Sequence, residues 1–281
     1  MNVNSKSYWD SRFDTDWIEY SGDEQSKFFA SILLNALNKP LLSFMSCENI
    51  TIVDWGCALG DGTSIFHQHI NKNISGIDFS ESAINQATKK YPEITFKCEN
   101  WLSNEEEISD GYKVLISSNT LEHFDEPYSV LSSISKKVEN MMILAIPYEE
   151  YDRIEEHSFT FENNNIPYIF DNEWVLSYTK IIDCSKLNPT YWNGKQIVLV
   201  YSKIEWLKSQ PFNVDFFYDI NEVPYLKGRL DELSNENMVS EKLDLILENK
   251  NHYQLERDNL INNHLEVLKN NIEVLEKILK K

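Results

Sequence analysis

The sequence predicts an α/β protein: a mostly parallel sheet with an antiparallel hairpin late in the chain, followed by a long helical tail. Three observations predict it. Between residues 50 and 146, short apolar runs alternate with segments of 3–4 periodicity, the rhythm of a parallel sheet covered on both faces. Two strand-like runs then lie close together at 181–184 and 196–201, separated by the turn-rich LNPTYWNGK. From residue 226 onward there is no proline and a single glycine, Gly228, and a heptad fits the segment.

Taken in order, residues 1–22 are polar with interleaved aromatics, Tyr8, Trp9, Phe13, Trp17 and Tyr20. Residues 23–38 read as a helix, because Phe29, Ile32, Leu33, Ala36 and Leu37 share one face, and Pro40 is expected to stop it. Strands are predicted at 50–55, 74–78, 94–98, 112–117 and 141–146, with helices at 62–71, 81–90 and 127–138. After residue 150 a short helix over 172–178 precedes the hairpin. Residues 203–225 form an aromatic-rich connector with Pro211 and Pro224. The expected organisation is an N-terminal lid and helix (1–46), a ligand-binding α/β domain (47–202), the connector (203–225) and the tail (226–281).

A chain of 281 residues with 42% hydrophobic and 12% aromatic content can bury a sizeable core, so wholesale disorder is excluded. The net charge is −19, and nearly all of it falls on residues 1–225. Such a surface repels phosphate backbones, so no nucleic-acid partner is expected. Cys47, Cys57, Cys98 and Cys184 form no CxxC pair, and no Cys/His cluster points to zinc. No metal is therefore expected, and because three of the four cysteines fall in or beside apolar segments, buried free thiols are. The N-terminus MNVNSKSYWD lacks an apolar signal core, and no apolar run approaches 18 residues. The expectation is a cytoplasmic protein without a membrane span.

The strongest functional signal is TIVDWGCALGDG. A strand ends near Asp54, and Gly56, Ala58, Gly60 and Gly62 follow at every second position before a helix begins. Small residues there let the backbone approach a ligand and turn sharply, and the helix N-terminus offers free N–H groups. Asp78 ends the next strand, 22 residues after Gly56, where an acid accepts hydrogen bonds from both hydroxyls of a ribose. Phe79 beside it is placed to lie against an adenine. The spacing differs from the GxGxxG of dinucleotide sites, and no Gly-Lys-Ser/Thr follows to make a P-loop.

Asp54-Trp55-Gly56-Cys57-Ala58-Leu59-Gly60-Asp61-Gly62 resembles the first motif of class I S-adenosylmethionine-dependent methyltransferases, with Ala58 where glycine is commoner. Ile77-Asp78-Phe79-Ser80 resembles their second motif, Ser118 to Phe124 (SNTLEHF) the segment after their fourth strand, and Ala145-Ile146-Pro147 their fifth strand. The resemblance covers residues 45–202 and implies a Rossmann-like methyltransferase sheet, with S-adenosylmethionine as cofactor and S-adenosylhomocysteine as product. It implies that Asp54, Gly56 and Ala58 surround the methionine part, that Gly60 belongs to the same cofactor-binding loop, that Asp78 holds the ribose and Phe79 the adenine. Asn100 and Trp101 would lie near the adenine amine, and Asn119 where the fourth strand meets the cofactor. YWDSRF resembles the opening of small-molecule and glycan methyltransferases, in which Tyr8 and Arg12 would close over the cofactor while Trp9, Phe13 and Trp17 pack as a lid.

Methyl transfer from a sulfonium is an in-line displacement, so the protein must align donor and acceptor and exclude water. An alcohol acceptor also needs a base, and histidine suits that. The candidates are His123 in SNTLEHF and His157 in EEHSFTF, each with a structural role as the alternative, while Glu122 is expected to order its loop. Similarity to bacterial surface-polysaccharide and flagellin-glycan methyltransferases implies a sugar oxygen or amine as acceptor, with another small metabolite as the alternative. Methylation of nucleic-acid bases is disfavoured, since SNTLEH replaces the (D/N/S)-PP-(Y/F/W) motif it uses. A non-catalytic scaffold is the competing class, and the intact Asp54, Gly56, Gly60 and Asp78 argue against it.

With heptad a at 230 and d at 226, ten of sixteen core positions in the tail are apolar, and the six from Ile261 to Leu279 are unbroken. If continuous, the tail would span about 84 Å. The expectation is a coiled coil that assembles the chain into a homo-oligomer or binds a partner protein.

Overall fold

The computed structural model describes residues 3–103, 111–212 and 216–217. Five strands run parallel: β1 (Ile52–Trp55), β2 (Ile74–Asp78), β3 (Thr95–Cys98), β4 (Tyr112–Ser118) and β5 (Val138–Tyr148). Three more continue the sheet antiparallel: β6 (Ile169–Phe170), β7 (Trp174–Asp183) and β8 (Lys195–Lys203). The order is β3-β2-β1-β4-β5-β8-β7-β6. The chain leaves β1 toward β2 on one side and returns to β4 on the other. This opens a crevice beyond the carboxyl ends of β1 and β4, the place where open α/β sheets bind ligands.

Strand alternation supplies both cores. Val114 and Ile116 of β4, with Met141, Ile143 and Ala145 of β5, face one side. Leu115, Met142, Leu144 and Ile146 face the other. The first side is covered by α2 (Gly22–Ala36), α3 (Lys39–Met45), α4 (Asp61–His69) and α7 (Ile204–Ser209) through Leu33, Leu41, Met45, Phe66 and Trp206. The second side takes Leu131 and Ile134 of α6 (Pro127–Ser135). Strands β1 and β2 are buried at every position, as expected for parallel strands covered on both faces.

The structure corrects several expectations. Residues 172–178 are not a helix, because β7 begins at Trp174 and pairs with β8. A register shift between Leu176 and Tyr178 breaks the two-residue period, so Trp174, Val175 and Tyr178 mimic helical spacing. Pro40 does not end the preceding helix. α2 stops when Leu37 turns extended, and Pro40 lies in the first turn of α3, where its missing N–H is harmless. Only Cys57 and Cys184 are buried, whereas Cys47 and Cys98 are exposed. The polar N-terminus holds a further helix, α1 (Lys6–Thr15), capped by Ser5, whose side chain accepts from the Tyr8 N–H. α5 (Glu81–Lys90) packs against it. Residues Met1–Asp219 form one compact unit, so lid, sheet and the start of the connector pack together. No single described helix is long and apolar enough to cross a membrane. The helical tail expected over 226–281 lies outside the described residues.

One buried side chain joins three segments of this frame. Asn71, after α4, donates through Nδ2 to the carbonyls of Met45 (2.8 Å), Cys47 (2.9 Å) and Ile50 (3.1 Å), and its Oδ1 accepts from the Asn73 N–H (2.8 Å). Asn71→Ala strands these groups and should lower stability by about 1–3 kcal/mol in urea unfolding. A change below about 0.5 kcal/mol would show that solvent replaces the bonds.

Candidate functional site

A cavity of about 460 Å³ occupies the crevice, walled by the loops after β1, β2, β3 and β4 together with α1, α2 and the segments after β5 and β7. The loop after β1 is knitted to β2. The N–H groups of Gly56 and Cys57 both donate to the Ile77 carbonyl, at 2.8 and 3.1 Å. Gly56 sits at φ +79°, and a β-carbon there would lie 2.5 Å from Thr120 Oγ1. Gly60, also at φ +79°, caps α4, where a β-carbon would strike Phe96 Cζ at 2.6 Å. Neither position admits another residue without movement. Ala58 also has a positive φ, +48°, which gives a steric reason for glycine to be commoner there.

Asp78 fixes this loop. Its Oδ2 accepts the Ala58 N–H at 3.0 Å and its Oδ1 accepts the Ser80 N–H at 2.9 Å. Each oxygen keeps a lone pair for a further donor. Burial pushes its pKa up to about 6, opposed by these backbone bonds. Asp54 receives the Thr63 hydroxyl at 2.5 Å, and burial pushes it up to about 7 against that bond.

Helix α1 forms the opposite wall. Asp10 accepts from Ser80 Oγ (2.6 Å), from the Ser82 N–H (3.4 Å) and from Lys6 Nζ (2.9 Å), and Gln86 Nε2 donates to the Phe13 carbonyl at 3.0 Å. Trp9, Phe13 and Trp17 pack ring on ring, and Trp9 also meets the His123 ring edge-on at 5.1 Å. Tyr8 donates to Glu156 Oε1 at 2.6 Å, and burial with that bond pushes the phenol up to about 12. Arg12 Nε, Trp17 Nε1 and Trp192 Nε1 are buried donors without a hydrogen-bond partner.

The third wall gathers Glu122, His123 and His157. Glu122 is fully buried and neither carboxylate oxygen bonds to another residue. Burial pushes it up to about 7, with nearby His157 opposing. His123 Nδ1 lies 2.9 Å from the Glu156 carbonyl, so that nitrogen carries a proton. Burial pulls this ring down to about 4, leaving it neutral at pH 7. His157 Nδ1 lies 2.6 Å from Glu150 Oε2, and its Nε2 is 3.9 Å from Glu122 Oε1. Burial lowers its pKa, but the Glu150 bond and the surrounding carboxylates outweigh burial and hold it above the usual value.

Of the residues expected at the site, Arg12, Asp54, Gly56, Ala58, Asp78, Phe79, Asn100, Trp101, Asn119, His123 and His157 line the cavity. Tyr8 and Gly60 do not. Tyr8 supports the wall residue Glu156, and Gly60 turns the chain into α4. Asn119 has φ +50°, and its Oδ1 accepts from buried Gln196 of β8 at 2.9 Å. Trp101 is buried and donates to Glu99 at 2.9 Å. Trp192, Phe29, Ile154 and Glu156 are wall residues that sequence reasoning missed. The acidic run EEYDRIEE before His157 was the available signal for Glu150 and Glu156.

The sequence matches the family described as Methyltransferase domain over residues 46–197. Among solved structures, the chain is similar to the magnesium protoporphyrin IX methyltransferase of Synechocystis with bound S-adenosylhomocysteine. The identity is 14% and the TM-score 0.52, covering 71% of this chain and 100% of that one. It is also similar to a chain from the complex of the Haloferax volcanii Trm112 methyltransferase activator, at 14% identity and TM-score 0.54, covering 72% and 99%. At such identity the likeness concerns the fold. No curated protein sequence matches the chain.

The docking of α1 gives a direct test of the wall. Asp10→Ala removes charge-assisted bonds worth about 1.5–3 kcal/mol. Amide hydrogen exchange in residues 6–15 should rise by about tenfold or more, with β1 unaffected. Unchanged exchange would mean that the aromatic contacts alone hold the helix.

Proposed function

This chain belongs to the methyltransferase-domain family, and from that premise we propose that it moves a methyl group from S-adenosylmethionine to an oxygen or nitrogen of a small polar acceptor. The acceptor class we infer is a sugar, or a component of a surface or flagellar glycan. The observation that carries the cofactor assignment is Asp78. It stands at the end of β2 in the cavity wall, holds the small-residue loop by one oxygen and keeps free lone pairs on both. Two ribose hydroxyls are the natural donors to such a carboxylate. Phe79 and Trp101 offer faces for the adenine, with Asn100 beside them. Asp54, Gly56, Ala58 and Asn119 surround the methionine end. S-adenosylhomocysteine is the product.

The acceptor side supports a polar, oxygen-rich molecule. Trp9, Trp17, Phe124 and Trp192 present aromatic surface to the cavity, which suits the apolar face of a sugar ring. The unpartnered N–H groups of Arg12, Trp17 and Trp192 suit its oxygens, since a buried donor left unmade is costly. His123 and His157 occupy the acceptor end as the catalytic candidates. Burial holds His123 a weak base, whereas the Glu150 bond raises the His157 pKa above its usual value. Their contribution lies in how they engage the acceptor together with Glu122.

Calorimetry with S-adenosylhomocysteine tests the cofactor site. Asp78→Ala should weaken binding by about 1.5–3 kcal/mol, roughly 10- to 150-fold. The ribose hydroxyls donate to the carboxylate form, so wild-type affinity is full above the Asp78 pKa of about 6 and declines as pH falls through it. Unchanged affinity in the variant would misplace the ribose, and tight NADH binding by the wild type would overturn the assignment. Transfer of labelled methyl to sugar nucleotides or cell-envelope glycans reads the acceptor class.

A further inference from the structure

We propose that Glu122, His123 and His157 bind one divalent transition-metal cation at the acceptor end of the cavity, where it holds the acceptor through a hydroxyl. The metal site stands on geometry. Its role in catalysis rests on the methyltransferase function proposed above.

One potential ligand atom from each of the three residues lies within 4.8 Å of the other two. His157 Nε2 and Glu122 Oε1 are already 3.9 Å apart. Ligands of a tetrahedral zinc site stand roughly 3.3 Å apart, given bonds of about 2 Å. Side-chain movements of about an ångström would therefore close the set.

The surroundings of both rings are those of metal-bound imidazoles. A ligating histidine donates its second ring N–H to a carboxylate or a backbone carbonyl, which fixes the ring and directs the other nitrogen at the metal. His123 does this to the Glu156 carbonyl at 2.9 Å, and His157 to the Glu150 carboxylate at 2.6 Å. His157 Nε2 thus faces Glu122 Oε1 at 3.9 Å and coordinates on giving up any proton it carries. The two loops are also joined by backbone bonds, since the N–H groups of Ser158 and Phe159 donate to the Glu122 carbonyl at 2.7 and 3.2 Å. Asn4 Nδ2 bridges the carbonyls of His123 and Glu156 at 3.0 and 2.8 Å.

Glu122 is the independent observation. Its side chain is 0% exposed, and neither oxygen is hydrogen-bonded to another residue. A carboxylate buried without a hydrogen bond is expensive, and a cation between it and two imidazoles offsets that penalty more closely than the His157 ring at 3.9 Å. Two nitrogens and one carboxylate oxygen suit Zn²⁺, Mn²⁺, Fe²⁺ or Co²⁺ better than Mg²⁺ or Ca²⁺, and three protein ligands leave positions open.

An acceptor hydroxyl in an open position is polarised by the metal and loses its proton to water. The resulting oxygen forms a bond to the methyl carbon as the carbon–sulfur bond breaks, and the sulfonium leaves as a thioether holding the electron pair. The site thus selects an oxygen acceptor over an amine and dispenses with a side-chain base.

The test uses the full chain, stripped with chelator and titrated with Co²⁺ while visible absorption is recorded. One equivalent should bind with ligand-field bands, and Zn²⁺ should displace it. His157→Ala and the isosteric Glu122→Gln should each bind Co²⁺ at least about 10-fold more weakly, with circular dichroism confirming that both are folded. Absence of Co²⁺ binding, or equal binding by wild type and both folded variants, overturns the site. S-adenosylhomocysteine affinity is measured on the same metal-free protein. Its retention without a Co²⁺ site sinks the metal alone, whereas a Co²⁺ site without S-adenosylhomocysteine binding sinks the methyltransferase assignment.

Discussion

The cavity depends on one chain of hydrogen bonds centred on Asp78. Its carboxylate holds the Ala58 N–H of the first loop and the Ser80 N–H of the second. Ser80 in turn donates to Asp10 of α1. Three segments distant in sequence, at positions 10, 58 and 80, are thereby tied around one buried acid. The residue proposed to bind the cofactor also fixes the loop that shapes the cavity. Such coupling keeps the site within the narrow tolerance that an in-line transfer requires.

The sheet makes this arrangement affordable. Asp54, Asp78 and Glu122 are all buried, and burial raises the pKa of each. Groups of this kind destabilise a fold unless hydrogen bonds or charges compensate. Asp54 has the Thr63 hydroxyl and Asp78 has two backbone donors. Glu122 has neither. The apolar layers on the two faces of the sheet supply the stability that allows an unsatisfied group to persist, a pattern characteristic of functional sites.

The central α/β pattern was legible because its signals are local. Residues 74–78 and 81–90 match β2 and α5 end to end, since a buried parallel strand and an amphipathic helix each declare themselves within a few residues. The glycine loop and Asp78 were legible for the same reason. Helix α1 was not, because its burial is confined to Phe13 and its aromatics pack on a cavity rather than along one apolar stripe. β7 was mistaken because a bulge interrupts its alternation. The pairing of Glu150 with His157 and of Glu156 with His123 depends on how the segment after β5 folds back over the loop after β4. No spacing rule encodes that return. Glu122 was legible as a residue but not as a carboxylate without partners, which only the packed structure reveals.

The most direct measurement is a crystal structure of the chain with S-adenosylhomocysteine bound. The account predicts both ribose hydroxyls within hydrogen-bond distance of the Asp78 carboxylate, about 2.5–3.0 Å, the adenine against Phe79, and the sulfur directed toward His123 and His157. A ribose held elsewhere, or a sulfur facing away from those histidines, would contradict it.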